Sequence, residues 1–169
     1  MMWSVLMSAE QQIIKLGIKL PVATAPAGNY VSAIQSGNLL YTSGRGPLPV
    51  NGRAAKGRLG RDYSTVDGYN LARSACIDLL ATLRHQLGSL DRIVRFIELN
   101  GSIDSTPEFE EHAKVLDGAS DLLVQIFGSS GEHVRSVIGV NSLRNGIPLT
   151  IKTIVEVKMD EFPPHRQSF

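Results

Sequence analysis

The sequence predicts an α/β fold with one mixed β-sheet and two long helices on one of its faces. Its length of 169 residues suits a single domain, and 43% hydrophobic with 20% charged residues is ordinary for a globular protein. The spacing of apolar residues changes between helical and strand periods in the order α-β-β-α-β-α-β-β. Right-handed crossovers would place both long helices on the same side of the sheet. The other side would then need a partner, and a further copy of the chain is the simplest one.

Three helices are predicted from their capping residues and apolar spacing. Ser8 and Gln11 have the spacing of a capping box, and so do Ser64 and Asp67 at the start of the longest helix. Pro107 suits the first turn of the third helix, where its missing N–H costs little. The predicted helices run from Ser8 to Gly17, from Ser64 to Gly88 and from Thr106 to Gly128, with a candidate break at Asp117-Gly118.

Five β-rich runs complete the pattern. The first two flank Ser36-Gly37-Asn38, which indicates a hairpin, and an Asn145-Gly146 turn separates the last two. The predicted strands are Tyr30–Ile34, Leu39–Ser43, Ile93–Ile103, Val134–Val140 and Leu149–Lys158. We therefore expect an N-terminal tail and short helix over residues 1–24, one folded domain over residues 25–158, and a C-terminal tail over residues 159–169.

Charge and cysteine content exclude several classes of protein. The 17 Lys and Arg residues against 16 Asp and Glu residues give a net charge of +1, which argues against the clustered basic surface that nucleic acids require. Cys76 is the only cysteine, so an intramolecular disulfide is ruled out and a cytoplasmic location is expected. The apolar residues 1–6 are too short to span a membrane, and no other run is long enough. Met7 is expected to be a better start than Met1 because Ser8 can cap the first helix.

Three sets of chemically reactive residues are expected to be structural. Cys76 lies on the apolar stripe of the longest helix, where burial makes a thiol inert. The four histidines show no metal-binding spacing, so no metal is expected; they are His85, His112, His133 and His165. The basic residues of the glycine-rich loop over residues 44–62 accompany no phosphate-binding motif, and a solvated loop is the simpler interpretation; they are Arg53, Lys56, Arg58 and Arg61.

Arg135 is the most informative candidate. It stands early in a predicted strand whose other residues are almost all apolar. Burying a guanidinium there costs free energy unless an anion pairs with it. Two partners are equally compatible with the sequence: the carboxylate of a small molecule, or a carboxylate of this protein or of a neighbouring subunit.

Four motifs in the same order resemble the Rid family of reactive-intermediate deaminases, also called YjgF-like or L-PSP proteins. Residues 131–143, GEHVRSVIGVNSL, are similar to the family stretch H-x-R-S-x-x-x-V-x-x-L-P. The other three are GNYV over residues 28–31, GNLLYTSG over residues 37–44 and DGASDLLVQIFG over residues 117–128, the last being typical of a longer subgroup. The resemblance extends from about Ala25 to Val157, and the chain is identified as a member of the family.

The resemblance implies a chorismate-mutase-like α/β fold and a homotrimer with three clefts between subunits. Active members hydrolyse enamines or imines, such as 2-aminoacrylate, to a 2-keto acid and ammonia without a cofactor. The arginine of the motif binds the substrate carboxylate, which assigns that role to Arg135. Tyr30 corresponds to a tyrosine that lines the substrate site, and Ser43 and Gly44 correspond to the hairpin end that contributes to the cleft.

The sequence departs from the family pattern at four positions. Thr150 stands where active members usually carry a glutamate that positions water, and a threonine is a poor base at neutral pH. Asp117 stands where the subgroup usually has asparagine, which would bring negative charge toward a carboxylate site. Val137 replaces a frequent cysteine, and Arg144 replaces the proline that usually follows Leu143.

These departures leave alternatives open. The first function expected is hydrolytic deamination, with Arg135 and Thr150 as catalytic residues and Tyr30, Ser43, Gly44 and Asp117 as substrate-binding residues. The second is a trimer that binds small carboxylates, or regulates through them, without turnover. An RNA-cleaving translation inhibitor is less expected because the net charge is +1 and aromatic residues make up only 6% of the chain.

Overall fold

The computed structural model describes residues 7–159, and its elements follow the predicted order. The predictions for residues 1–6, for His165 and for nearly all of the C-terminal tail lie outside the described residues. The elements are α1 (Ala9–Lys15), β1 (Ala33–Ser36), β2 (Leu39–Thr42), α2 (Thr65–Leu87), β3 (Ile93–Asp104), α3 (His112–Phe127), β4 (Val134–Val140) and β5 (Leu149–Val157).

The five strands form one mixed sheet in the order β1-β2-β5-β3-β4. Strands β3 and β4 are parallel and the other neighbouring pairs are antiparallel. Helices α2 and α3 pack against each other and share one hydrophobic core with the sheet, so the predicted two-layer arrangement is confirmed. We call this side of the sheet the helix side and the other the open side.

The burial pattern of β5 shows how the two sides differ. Leu149, Ile151 and Val155 point to the helix side and are at most 1% exposed. The alternate residues lie on the open side and are exposed or half-buried; they are Thr150, Lys152, Ile154 and Glu156. The open side therefore presents a partly apolar surface that an oligomer can cover.

Both predicted capping boxes are present. The Ser8 hydroxyl accepts a hydrogen bond from the backbone amide of Gln11, and the Gln11 side chain accepts one from the backbone amide of Ser8. Ser64 and Asp67 form the same reciprocal pair at the start of α2. Asp67 is solvent-exposed, and its hydrogen bonds from Ser64 hold the pKa of its carboxyl below the usual value.

The start of the third helix was predicted too early. α3 begins at His112, because the segment opened by Thr106 forms a turn instead. The amide of Thr106 donates to the carbonyl of Leu59, and the amide of Phe109 donates to the carbonyl of Thr106. These bonds attach the segment to the loop that precedes α2 and prevent a helical first turn.

The candidate break at Gly118 was also wrong, because α3 runs through it without interruption. A Cβ at this position would lie 1.9 Å from the carbonyl oxygen of Tyr69 in α2. Gly118 is therefore present because the two helix backbones approach each other closely here, and not because the helix ends.

Smaller differences concern the strand ends and the loop. β1 begins at Ala33, so Tyr30 lies before the sheet, and β5 ends at Val157. The loop is not fully solvated: Leu59 is completely buried, and the Nε of Arg58 lies 2.8 Å from a carboxylate oxygen of Asp104 in β3. The loop is thus attached to the core through Leu59 and to β3 through Arg58.

The contact at Gly118 leads to a prediction about stability. Gly118→Ala should lower the free energy of unfolding by about 3 kcal/mol or more, because neither helix backbone can move without disturbing the core. Gly101→Ala is the matched control, since its Cβ would meet only side-chain methyls, the nearest being Leu116 Cδ1 at 3.0 Å. It should cost about 1 kcal/mol. Urea unfolding followed by circular dichroism measures both, and equal losses would contradict the backbone-contact explanation.

Candidate functional site

The side chain of Arg135 is held by two residues of α3. Its Nη1 donates to Oδ1 of Asp117 at 2.7 Å and to Oγ of Ser120 at 3.2 Å. Arg135 pairs in register with the buried Leu99 on β3, so it points to the helix side at the edge strand and reaches α3. Of the two partners that the sequence left open, the protein's own carboxylate is the one that contacts Arg135 here.

This ion pair leaves part of the guanidinium free. The side chains of Arg135 and Asp117 are 29% and 43% exposed. An arginine has five N–H donors, and the hydrogen bonds of Arg135 within residues 7–159 all come from Nη1. The Nε and Nη2 edge is therefore available for a planar, bidentate partner such as a carboxylate.

Ser120 connects Arg135 to His133, a histidine that the sequence-based prediction did not include in the site. The Oγ of Ser120 lies 3.0 Å from Nε2 of His133, and Nδ1 of His133 lies 2.7 Å from the carbonyl oxygen of Gly131. The sequence does carry a signal for this cluster. His133 and Arg135 are two apart at the start of a strand, Asp117 and Ser120 are three apart on a helix, and both spacings place side chains on one face.

The other predicted site residues form a second group around the end of the β1–β2 hairpin. The Oγ1 of Thr150 donates to the carbonyl of Arg45 at 3.3 Å, and a Cβ on Gly44 would lie 2.7 Å from that same Oγ1. The Oγ of Ser43 donates to the carbonyl of Val31 at 2.6 Å. Tyr30 and Gly44 line one cavity of about 280 Å³.

A single protomer does not bring Arg135 and Thr150 together. Arg135 pairs with Leu99 and Thr150 pairs with Ser102, so the two positions are three residues apart along β3. That separation amounts to about 10 Å along the strand, and an odd number of residues puts the side chains on opposite sides of the sheet. The predicted site residues therefore form two groups: Arg135 with Asp117 on the helix side, and Thr150 with the hairpin residues.

A buried ion pair supports the cavity that Tyr30 lines. The Nε of Arg45 lies 2.7 Å from Oδ2 of Asp78 in α2, and its Nη2 donates to Oγ1 of Thr24 at 2.7 Å. The side chains of Arg45 and Asp78 are only 9% and 12% exposed. No pattern in the sequence connects these two residues, and they were not predicted.

The remaining candidates do not form reactive sites. Cys76 is fully buried, and this burial raises the pKa of its thiol to about 12, so it is not a nucleophile at neutral pH. In the loop, the hydrogen bond from the Arg61 guanidinium holds the pKa of the exposed Asp62 below its usual value. Between residues 7 and 159, no three His, Cys, Asp or Glu side chains are grouped as a metal site would require.

Among residues 7–159, no helix combines the length and the hydropathy that a membrane-crossing helix needs.

Known proteins resemble this chain along most of its length. The family model described as "YjgF/chorismate mutase-like, putative endoribonuclease" matches residues 10–156. Protein TCP17 of Trypanosoma cruzi is 39% identical over 144 residues, which are 85% of this chain and 90% of that protein.

Two solved structures are also similar. A protein of unknown function from Agrobacterium tumefaciens is 38% identical with a TM-score of 0.81, over 89% of this chain and 92% of the other. "A putative endoribonuclease" from Shewanella oneidensis is 33% identical with a TM-score of 0.85, over 89% of this chain and all of the other. The family resemblance and the fold expected from the sequence motifs are confirmed.

The two Arg–Asp pairs have the same N–O distance of 2.7 Å but different burial, which leads to a prediction. Asp78→Asn should lower the free energy of unfolding by about 3 kcal/mol, because it leaves the buried Arg45 charge unpaired. Asp117→Asn should change it by less than about 1 kcal/mol, because solvent already screens that pair. Chemical denaturation of both variants tests this. A comparable loss in each would mean that Asp117 is structural.

Proposed function

The chain belongs to the YjgF family, also called Rid, and from that premise we propose that it hydrolyses reactive enamines and imines of 2-amino acids to 2-keto acids and ammonia. The observation that carries the proposal is the guanidinium of Arg135, which α3 holds through Nη1 while its Nε and Nη2 edge has no hydrogen-bond partner among residues 7–159. A substrate such as 2-aminoacrylate has a carboxylate that matches this edge. No cofactor is needed for the reaction.

Arg135 supports the chemistry by positioning its substrate. The enamine tautomerises to an imine, and water then attacks the imine carbon, which is bonded directly to the carboxylate carbon. A carboxylate held by Arg135 therefore fixes the atom that reacts. Holding that atom beside an ordered water converts a bimolecular collision into a local step, which accounts for much of the rate gain expected here.

We propose that the complete site forms between subunits of a homotrimer. Arg135 with Asp117 and the group around Thr150 lie on opposite sides of one protomer's sheet. Because β4 is an edge strand, a second copy whose open side packs against that edge could bring its own Thr150 and Tyr30 toward the first copy's Arg135. The partly exposed Ile154 on the open side supports such an association.

Thr150 has a limited role in this proposal. Its hydroxyl donates to the carbonyl of Arg45, which leaves its oxygen lone pairs to accept a hydrogen bond from water. A threonine can orient water in this way but does not remove a proton at neutral pH.

A second candidate function is binding of small carboxylates without turnover. Two observations favour it: Asp117 already occupies part of the Arg135 guanidinium, and Thr150 is not an acid or base. RNA cleavage has less support, because arginines of the basic loop pair with the protein's own carboxylates, Arg58 with Asp104 and Arg61 with Asp62. Such pairing leaves less positive charge for a phosphate backbone.

The proposal predicts the effect of removing Arg135. Arg135→Ala should lower kcat/KM for 2-aminoacrylate by about 30-fold or more, as expected for the loss of an ion pair to a desolvated carboxylate. The substrate is generated in situ, ammonia release is measured, and semicarbazide captures the residual imine. Arg84→Ala is the matched control, since Arg84 is half-exposed on α2 and pairs with Glu10 away from the site.

Three outcomes separate the candidates. Loss of activity in an Arg135→Ala variant whose mass by light scattering is unchanged would support the deaminase. A wild type that binds pyruvate but releases ammonia no faster than the spontaneous rate would support the non-catalytic carboxylate binder. A wild type that neither binds nor reacts would contradict both.

The ion pair with Asp117 predicts an opposite effect on affinity. Asp117→Asn should tighten pyruvate binding several-fold, because the internal carboxylate no longer competes for Arg135. Asp121→Asn is the matched control: it removes the same charge from α3, but Asp121 accepts from the hydroxyl of Tyr69 and not from Arg135. Isothermal titration calorimetry measures all three proteins. Equal tightening by both variants would show a general charge effect, and weaker binding by Asp117→Asn would show that Asp117 is needed to hold Arg135.

A further inference from the structure

We propose that the cavity beside Arg45 is a second binding site, and that it takes a small carboxylate with a branched apolar body. The cavity has a volume of about 280 Å³, and neither Arg135 nor Thr150 lines it. The inference therefore does not depend on the deaminase function proposed above. The volume lies just below the range of about 300–1,000 Å³ that is usual for drug-sized ligands, so a smaller molecule fits this cavity.

The backbone of Arg45 directs its side chain to the helix side of the sheet. Its amide donates to the carbonyl of Ile151 at 2.7 Å, and the amide of Ile151 donates back to the carbonyl of Arg45 at 2.9 Å. Residues that face each other in such an antiparallel pair point to the same side, and Ile151 is buried on the helix side. Arg45 therefore points toward α2, away from the open side on which Thr150 lies.

One nitrogen of the Arg45 guanidinium has no partner among the described residues. Nε donates to Asp78 and Nη2 donates to Thr24, both at 2.7 Å, whereas Nη1 makes no hydrogen bond within residues 7–159. No side-chain nitrogen or oxygen in this part of the chain is both fully buried and without a partner, so Nη1 reaches accessible space. That space is the cavity, which Arg45 lines while its side chain is only 9% exposed. Arg45 is thus structural through Nε and Nη2 and offers Nη1 to an anion in the cavity.

The charged residues that line the cavity favour a single negative charge in it. They are Arg45, Asp78 and Arg144. Arg45 and Asp78 compensate each other across 2.7 Å. Arg144 is exposed and makes no ion pair with a carboxylate of residues 7–159, so its positive charge is left uncompensated. A monovalent anion between Arg144 and Nη1 of Arg45 balances the sum.

Apolar residues form the rest of the wall and contact the other half of the ligand. They are Pro47, Leu48, Pro49, Ala54 and Ile147. The amide of Leu48 donates to Oγ of Ser74 in α2, and the amide of Gly57 donates to the carbonyl of Gly146, both at 3.0 Å. These bonds hold the walls together before any ligand arrives, so binding does not require a costly rearrangement. Isovalerate, a carboxylate with a short branched alkyl group, matches both halves of the cavity.

Isothermal titration calorimetry with isovalerate tests the site in an Arg135→Ala background, which removes the proposed substrate site from the measurement. Isovaleramide has the same shape without the charge and should bind at least about tenfold more weakly than isovalerate. Arg45→Lys keeps a cation for Asp78 but has no equivalent of Nη1, so it should weaken isovalerate binding about tenfold. Arg144→Ala should weaken it about fivefold, because solvent partly screens that charge.

Arg53→Ala is the matched control. Arg53 is an exposed cation of the same loop, but it lines a different cavity, and its removal should leave the affinity for isovalerate unchanged. Circular dichroism verifies that each variant is folded. If Arg45→Lys does not fold, the comparison of Arg144→Ala with Arg53→Ala still decides, because both side chains are exposed.

Three results would overturn the second site. If isovalerate does not bind in the Arg135→Ala background, the cavity is not a carboxylate site, and the deaminase function stands or falls on its own assay with 2-aminoacrylate. If Arg53→Ala weakens binding as much as Arg144→Ala does, the attraction is a general charge effect. If isovaleramide binds as tightly as isovalerate, the cavity recognises only the apolar body.

Discussion

The close approach of α2 and α3 at Gly118 is the contact on which the arrangement of the candidate site depends. With only a hydrogen in place of a side chain, the backbone of α3 lies against the carbonyl of Tyr69. This fixes both the distance and the rotation of α3 relative to the sheet. Asp117 and Ser120 lie beside this contact, about one helical turn apart, and the same rotation of α3 directs both side chains toward Arg135. Gly118, which allows α2 and α3 to pack closely, therefore also determines where the guanidinium of Arg135 is held.

The two Arg–Asp ion pairs differ in burial, and this difference separates a structural arginine, Arg45, from the arginine proposed to bind substrate, Arg135. Arg45 and Asp78 lie in a poorly solvated region, where each charge depends on the other for its stability. Arg135 and Asp117 make an ion pair of the same length near solvent, where its strength is moderate and an external anion can compete. Asp117 thus orients the guanidinium of Arg135 through Nη1 and leaves the Nε and Nη2 donors for the proposed carboxylate ligand.

The sequence was sufficient wherever a local rule determines structure. The capping residues Ser8 and Ser64 and the β-rich composition of residues 149–158 each act locally, and the structure has the elements they predict. Gly118 was misinterpreted because a glycine that ends a helix and one that lets two helices touch look the same in one dimension. The Arg45–Asp78 pair was missed for a related reason, since only the folded chain brings together residues 33 positions apart.

The division of the candidate site between two sides of the sheet also divides its chemistry. Arg135, Asp117 and Ser120 lie on the helix side of a single subunit, where they form the group proposed to bind the substrate carboxylate. Thr150 lies on the other side and can join them only from a neighbouring copy. In a homotrimer every copy carries Thr150, so every such site would have a hydroxyl that can orient water where active family members usually have a glutamate. Deaminase activity at such a site would depend on the positioning of substrate and water, and not on a carboxylate base.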